Sequence, residues 1–184
     1  MIKAWKGDFG QEYTKRNQYN WKKRIPLYKK ILKDLPITKV LEVGSNCGLN
    51  LLALESLGYL TFGIEPNNFA RKMAKDAGLL VFPGTSNAIP FPNESKDLVF
   101  TCGVLIHVPP KELEASMKEM IRVSSKYILA IEYEAPKETM VVYRGKRDML
   151  WKRPYGKLYK KLGLKLIGEG KTDIDRCRYW LLSK

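Results

Sequence analysis

Glu42, Gly44, Asn46 and Gly48 sit close together in the stretch KVLEVGSNCG, and Glu65 closes the next apolar run, LTFGIE. Residues of these types at this spacing could hold a nucleotide-like ligand. Glycine lets the backbone approach a ligand and adopt positive φ. The helix predicted to follow would offer free N–H groups and a partial positive charge to an anionic group such as a carboxylate. An acid about twenty residues beyond the turn, at the end of a second strand, can accept both hydroxyls of a ribose. An ordinary strand-to-helix turn would also use these glycines, and the downstream order of elements decides between the two. The sequence has no G-x-G-x-x-G, so an NAD-type reading is the weaker one.

His107, the lone histidine, lies in VLIHVPP. It is either a base or orienting group near an acceptor hydroxyl, or a satisfied histidine that closes a loop. Glu132 and Glu134 are alternative acids after a later strand, with Glu134 expected to face a substrate. Cys47, Cys102 and Cys177 show no C-x-x-C pairing. That argues against a zinc site and fits a reducing compartment.

These residues need elements to position them. Val40–Val43, Thr61–Ile64, Leu79–Phe82, Lys96–Cys102 and Tyr127–Tyr133 read as strands. They are apolar runs, as expected of a parallel sheet covered on both faces. Helices are predicted at about 49–57 with Gly58 as its stop, at 67–77 capped by Asn67 or Asn68, and from Pro109–Pro110 through Val123. Leu113, Met117, Met120 and Ile121 would face inward on the last of these.

Residues 1–18 read as a mostly irregular arm pinned by Trp5 and Phe9. It could fold over a ligand, with Tyr13, Arg16 and Asn17 as polar contacts. A helix is expected over 18–34, with Pro26 near its start and Leu27, Ile31 and Leu32 as its buried stripe. Residues 134–153 fit neither period and read as an insert or lid, or as a surface hairpin held by Tyr143. A helix, YGKLYKKLG, and two strands, LKLIGEG and RYWLLS, close the chain. The pattern gives one alternating α/β domain over 1–184.

The net charge is +14 and unevenly spread. Residues 1–36 hold ten Lys/Arg against three Asp/Glu, and residues 134–184 fourteen against six, while residues 37–133 hold nine against ten. Basic flanks around a near-neutral middle are either a solvated surface or a rim that draws in an anionic substrate. Nucleic acid would also satisfy such a rim. No apolar run is long enough to span a bilayer, and the N-terminus lacks a signal-peptide core, so a cytoplasmic protein is expected.

The order of pieces resembles the class I S-adenosylmethionine-dependent methyltransferases. Their first turn reads acid-x-Gly-x-Gly-x-Gly; Glu42, Gly44 and Gly48 match, and Asn46 replaces the middle glycine. The resemblance implies a Rossmann-like, seven-stranded, mostly parallel sheet with its last strand antiparallel. It implies S-adenosylmethionine as cofactor, with Gly44, Ser45 and Asn46 along the methionine end and Glu65 on the ribose. Pro66 would pack beside the adenine, Thr85, Ser86 and Asn87 would occupy the loop at the adenine edge, and Cys102 and Gly103 would lie under the sulfur.

KGDFGQEYTKRN, EVGSNCGLNLLAL, DLVFTCGVLIHVPP and YRGKRDMLWKR together look like the methylases associated with pseudaminic acid biosynthesis, whose turn also carries this asparagine. That resemblance suggests a sugar, sugar nucleotide or glycan acceptor, with Tyr143 and Arg144 in the lid and Arg144 able to pair with a carboxylate or phosphate. Two other readings stand beside it: a nucleic-acid methyltransferase using the basic flanks, and a non-catalytic protein that binds the cofactor. The nucleic-acid reading lacks an Asp/Asn-Pro-Pro-Tyr tetrapeptide after strand four.

Overall fold

The structure is a computed structural model that describes residues 1–184. Its centre is a seven-stranded sheet. The strands are β1 (Lys39–Val43), β2 (Leu60–Ile64), β3 (Val81–Phe82), β4 (Lys96–Cys102), β5 (Ser124–Glu132), β8 (Lys165–Lys171) and β9 (Arg178–Ser183). Their order across the sheet is β3-β2-β1-β4-β5-β9-β8. All neighbours pair in parallel except β9, which runs antiparallel to both β5 and β8. The seven-stranded, mostly parallel sheet expected of the chain is therefore present, with its last strand as the antiparallel one.

Strand pleating sends successive side chains to opposite faces, and both faces are covered. Leu41, Val43, Val99, Ile128 and Ala130 enter one core beside Leu113, Met117 and Met120 of a helix over Pro110–Val123. Val40, Leu98, Phe100, Leu129 and Ile131 enter the other beside Tyr28, Ile31, Ala53 and Leu54. This double burial is why the strands read as unbroken apolar runs. Ile121 is only half-buried, packed at the edge of the first core.

Residues 1–18 are not an irregular arm. They form α1 (Ile2–Lys6) and α2 (Asp8–Arg16). Five and nine residues are too few to show a periodic signal, and helices this short persist through tertiary contacts. Asn67 supplies such a contact: its Nδ2 donates to the carbonyls of Trp5, Lys6 and Gly7 at 2.9, 3.3 and 3.2 Å. Gly10 allows α2 to close on α1, since a Cβ there would lie 1.9 Å from Trp5 O.

The single helix expected over 18–34 is a 3-10 turn, Trp21–Arg24, followed by α3 (Ile25–Ile31), with Pro26 in its first turn. Tyr28 takes the buried position and Leu27 stays half-exposed. Two further helices flank the sheet, α4 (Leu49–Glu55) and α5 (Asn68–Asp76), and Asn67 caps α5 by accepting from Ala70 N at 3.1 Å. The Pro110–Val123 helix is α6, and α7 spans Tyr155–Lys161.

Residues 134–153 contain a hairpin, β6 (Thr139–Tyr143) and β7 (Lys146–Lys152). Arg144 and Gly145 turn it with φ of 51° and 73°, the double positive φ of a tight hairpin loop. No helix is long and apolar enough to cross a membrane.

Candidate active site

A cavity of about 460 Å³ opens where the C-terminal ends of β1, β2, β4 and β5 meet α1, α2 and the hairpin. In an open α/β sheet this is the crevice beside the topological switch point, here between β1 and β4. The volume suits a ligand of cofactor size.

The turn after β1 is fastened to β2. Gly44 N and Ser45 N both donate to Ile64 O, at 2.8 and 3.0 Å. Gly44 has φ +74°, and a Cβ on it would lie 2.7 Å from Val104, so only glycine fits. Asn46 has φ 51°, a left-handed conformation that asparagine tolerates better than other side chains. That explains how it can stand where a glycine is usual. Its side chain faces the N-terminal helices, where Thr14 Oγ1 donates to Asn46 Oδ1 at 2.6 Å.

Two carboxylates face the cavity from neighbouring strand ends. Glu65 accepts from Asn46 N at 3.0 Å and from Asn67 N at 2.8 Å, one on each oxygen. Each oxygen keeps a further lone pair for a ligand hydroxyl. Burial raises the Glu65 carboxyl above its ordinary range, against the pull of those backbone donors. Glu42 is fully buried, and desolvation pushes it up to about 8. Its Oε1 accepts from Asn50 Nδ2 at 2.7 Å, and its Oε2 has no partner.

The opposite wall is aromatic. Trp5 of α1 touches Phe9, Tyr13 and His107, with ring centroids 5.1, 5.3 and 4.6 Å away. His107 also lies 5.1 Å from Tyr143 of β6. Its Nδ1 sits 2.6 Å from Met149 O. A carbonyl can only accept, so Nδ1 carries the proton and Nε2 presents a lone pair. Burial lowers the imidazole to about 4, so the ring is neutral near pH 7.

Buried charges set this ring in place. Glu132 is wholly buried and accepts from Val104 N, Leu105 N and Ile106 N, which open the 3-10 turn Leu105–His107. Arg153, equally buried, donates to Leu105 O and Val108 O at 2.8 Å each and to Glu138 Oε2 at 2.7 Å. Of the two acids after β5, Glu132 is thus a scaffold for the turn. Glu134 points away to an ion pair with Arg178 at 3.2 Å and does not line the cavity.

Tyr13, Asn17, Glu42, Gly44, Ser45, Asn46, Glu65, Pro66, Thr85, Ser86, Asn87, Cys102, Gly103, His107 and Tyr143 all line the cavity. Besides Glu134, three other expected residues do not. Gly48 caps α4 beneath the turn. Arg16 lies over Phe9 and Tyr13 on the outer side of α2, 6.0 and 5.8 Å from their centroids. Arg144 stands exposed at the hairpin tip.

Trp5, Tyr19, Arg24, Tyr133 and Asp175 line the cavity without any signal that singled them out as lining residues. Tyr133 donates its hydroxyl to Asp175, which joins the end of β5 to the β8–β9 turn. Arg24 falls in the run WKKR, within the helix expected over 18–34, and nothing in that run marks it as a lining residue.

The donor set fits S-adenosylmethionine. A carboxylate with free lone pairs serves a ribose, and Glu42 Oε2 and Ser45 Oγ are buried polar atoms that still lack partners.

Comparison with known proteins agrees. Residues 41–126 match the family described as methyltransferase domain. No curated protein matches the chain. Magnesium protoporphyrin IX methyltransferase of Synechocystis PCC 6803, solved with bound SAH, has a TM-score of 0.77 at 13% identity, covering 100% of this chain and 97% of that one. The 1,6-didemethyltoxoflavin-N1-methyltransferase of Burkholderia thailandensis, with 1,6-didemethyltoxoflavin and S-adenosylhomocysteine, has 0.76 at 9%, covering 100% and 84%. A SAM-dependent methyltransferase of Methanosarcina mazei has 0.73 at 17%, covering 85% and 97%. At these identities the structures share the fold.

Proposed function

We propose that this protein is an S-adenosylmethionine-dependent methyltransferase that acts on an anionic small molecule built on a ring: a sugar, sugar nucleotide or glycan. The observation that carries the reading is an aromatic wall under a basic rim. Trp5, His107 and Tyr143 line one end of the cavity, and Lys6 lines it beside them. Lys146 sits 5.1 Å over the Phe9 ring, and Arg16 and Arg144 flank the same cluster. Aromatic faces suit the apolar side of a ring, and cations at the rim suit a carboxylate or phosphate.

The cofactor supplies an electrophilic methyl group on a sulfonium. The protein's part is alignment and, for a hydroxyl acceptor, removal of a proton. Cys102 and Gly103 line the cavity at the end of β4. Cys102 is a lining residue, because burial pushes its thiol up to about 12 and keeps it protonated. His107 Nε2 can accept a hydrogen bond from the acceptor hydroxyl and orient its lone pair, since Nδ1–H is committed to Met149 O. An imidazole lowered to about 4 is a weak base, so orienting the acceptor outweighs holding its proton.

Transfer of radiolabelled methyl to a panel of acceptors tests this. Uronic acids, sugar phosphates and nucleotide sugars should be labelled, and their neutral counterparts should not. Equal labelling of neutral sugars, or labelling confined to RNA, would contradict the proposal.

A further inference from the structure

A hydroxyl acceptor must lose a proton as it is methylated, and His107, lowered to about 4, is a weak base for it. Protonating that ring would also place a positive charge in a buried site. Four carboxyls line the cavity: Glu42, Glu65, Glu112 and Asp175. Glu42 is fully buried and pushed up to about 8, so it is largely protonated near pH 7. Glu65 has one oxygen on Asn46 N and the other on Asn67 N, in the place read as the ribose anchor. Glu112, in the first turn of α6, has no side-chain partner to hold it in one position.

Asp175 differs from all three. Tyr133 donates its hydroxyl to Asp175 Oδ2, and Oδ1 makes no hydrogen bond within the protein. Burial and the adjacent Asp175 raise the Tyr133 phenol, so it stays protonated and keeps donating. Asp175 is exposed on the turn between β8 and β9, yet that turn is anchored on both sides of it. Ile174 and Cys177 are buried and line the cavity. Thr172 N donates to Cys177 O at 3.0 Å, Cys177 N to Ile174 O at 2.7 Å, and Ile174 N to Thr172 Oγ1 at 3.1 Å. Between the anchors, Asp175 and Arg176 take φ of 39° and 63°, a left-handed region disfavoured for residues other than glycine. Tyr133 follows β5, whose Ile131 pairs with Cys102 at the end of β4. The Tyr133–Asp175 pair therefore stands beside the strand end where Cys102 and Gly103 line the cavity.

We propose that Asp175 takes the proton from the acceptor hydroxyl and that Tyr133 positions its carboxylate. The acceptor O–H bond breaks and the proton goes to Asp175 Oδ1. The oxygen's electron pair forms the new O–C bond, and the S–C bond breaks with its pair left on sulfur. The positive charge of the sulfonium and the negative charge of the carboxylate are lost together, so the step creates no charge in the cavity. From its exposed position Asp175 then passes the proton to water. The inference rests on the methyltransferase reading with a hydroxyl acceptor.

Transfer of radiolabelled methyl to the uronic acids, sugar phosphates and nucleotide sugars of the acceptor panel tests it, with calorimetry of S-adenosylhomocysteine as the second readout. Asn tolerates the left-handed turn, so Asp175→Asn removes the base and keeps the backbone. It should lower kcat about 100-fold or more, the lower end of what a positioned base supplies. Affinity for S-adenosylhomocysteine should stay within about twofold. Tyr133→Phe should lower kcat by a smaller factor, about tenfold, with KM unchanged.

Asp175→Gly also suits positive φ and leaves room for a small carboxylate. Added formate should restore part of its rate and leave the wild type unaffected, which a merely structural role would not produce. A kcat for Asp175→Asn within about threefold of wild type, or an Asp175→Gly rate that formate leaves unchanged, would overturn the assignment. A wild-type chain that binds S-adenosylhomocysteine but labels no hydroxyl in the panel would overturn the acceptor reading and the base with it, a result separate from the first two.

Discussion

Arg153→Met should loosen the turn that carries His107. The guanidinium makes three hydrogen bonds, to Leu105 O, Val108 O and Glu138 Oε2. Methionine fills similar space without a donor. Leu105 O keeps a bond from Val108 N at 3.1 Å, so Val108 O is the carbonyl left buried without a donor. Glu138 is half-exposed and regains water. One orphaned carbonyl costs about 1–3 kcal/mol, and the lost bond to Leu105 O adds about 1 kcal/mol. The total is roughly 2–4 kcal/mol, which in a protein of this size lowers Tm by roughly 4–16 °C. Thermal unfolding followed by circular dichroism reads that change. The chain has one histidine, so imidazole NMR reports His107 without overlap. In the wild type the ring should be neutral with the proton on Nδ1, and in the variant its titration should move up from about 4 toward the ordinary value of 6.5. A Tm within about 2 °C of wild type, with unchanged imidazole signals, would refute the reasoning.

Three further outcomes follow from the same geometry. Glu65→Ala should weaken S-adenosylmethionine by about 1.5–3 kcal/mol, one to two strong hydrogen bonds; unchanged affinity by calorimetry would remove Glu65 from the site. Deleting residues 1–17 should leave a folded domain with poor cofactor affinity, because Thr14 and Asn67 tie α1 and α2 to the loops around Glu65; normal binding by the truncated chain would exclude the N-terminal helices from the site. His107 is also a pH marker. Because its folded pKa is depressed to about 4, the unfolded chain binds a proton first, and stability should fall as pH drops from 6.5 to 4. His107→Gln should flatten that part of the denaturation profile, and an identical slope in both proteins would contradict the assignment.

The sheet was legible because its strands are buried on both faces and leave apolar runs. β4 falls on the expected residues, Lys96–Cys102, and Asn67 caps α5. The N-terminal helices were hidden by their shortness and by stabilisation from a residue about sixty positions away. For residues 134–153 the surface hairpin, one of two readings, is the one present; the choice was open because its turn uses Arg144 in place of asparagine or aspartate before the glycine. At the candidate site, strand ends fix where a residue lies along the chain, which brought Glu42 and Glu65 to notice. They do not fix which way a loop residue points. Arg16 and Arg144 turn outward and Glu134 turns to Arg178, while Arg24, which nothing in the sequence singled out, lines the cavity.

A structure of the protein with S-adenosylhomocysteine bound tests the central claim most directly. The ribose hydroxyls should lie on Glu65 and the amino-acid end along Gly44, Ser45 and Asn46, with the end of the cavity beside His107 and Tyr143 left open for an acceptor. A nucleoside seated against His107 and Tyr143, or a ribose making no contact with Glu65, would contradict it.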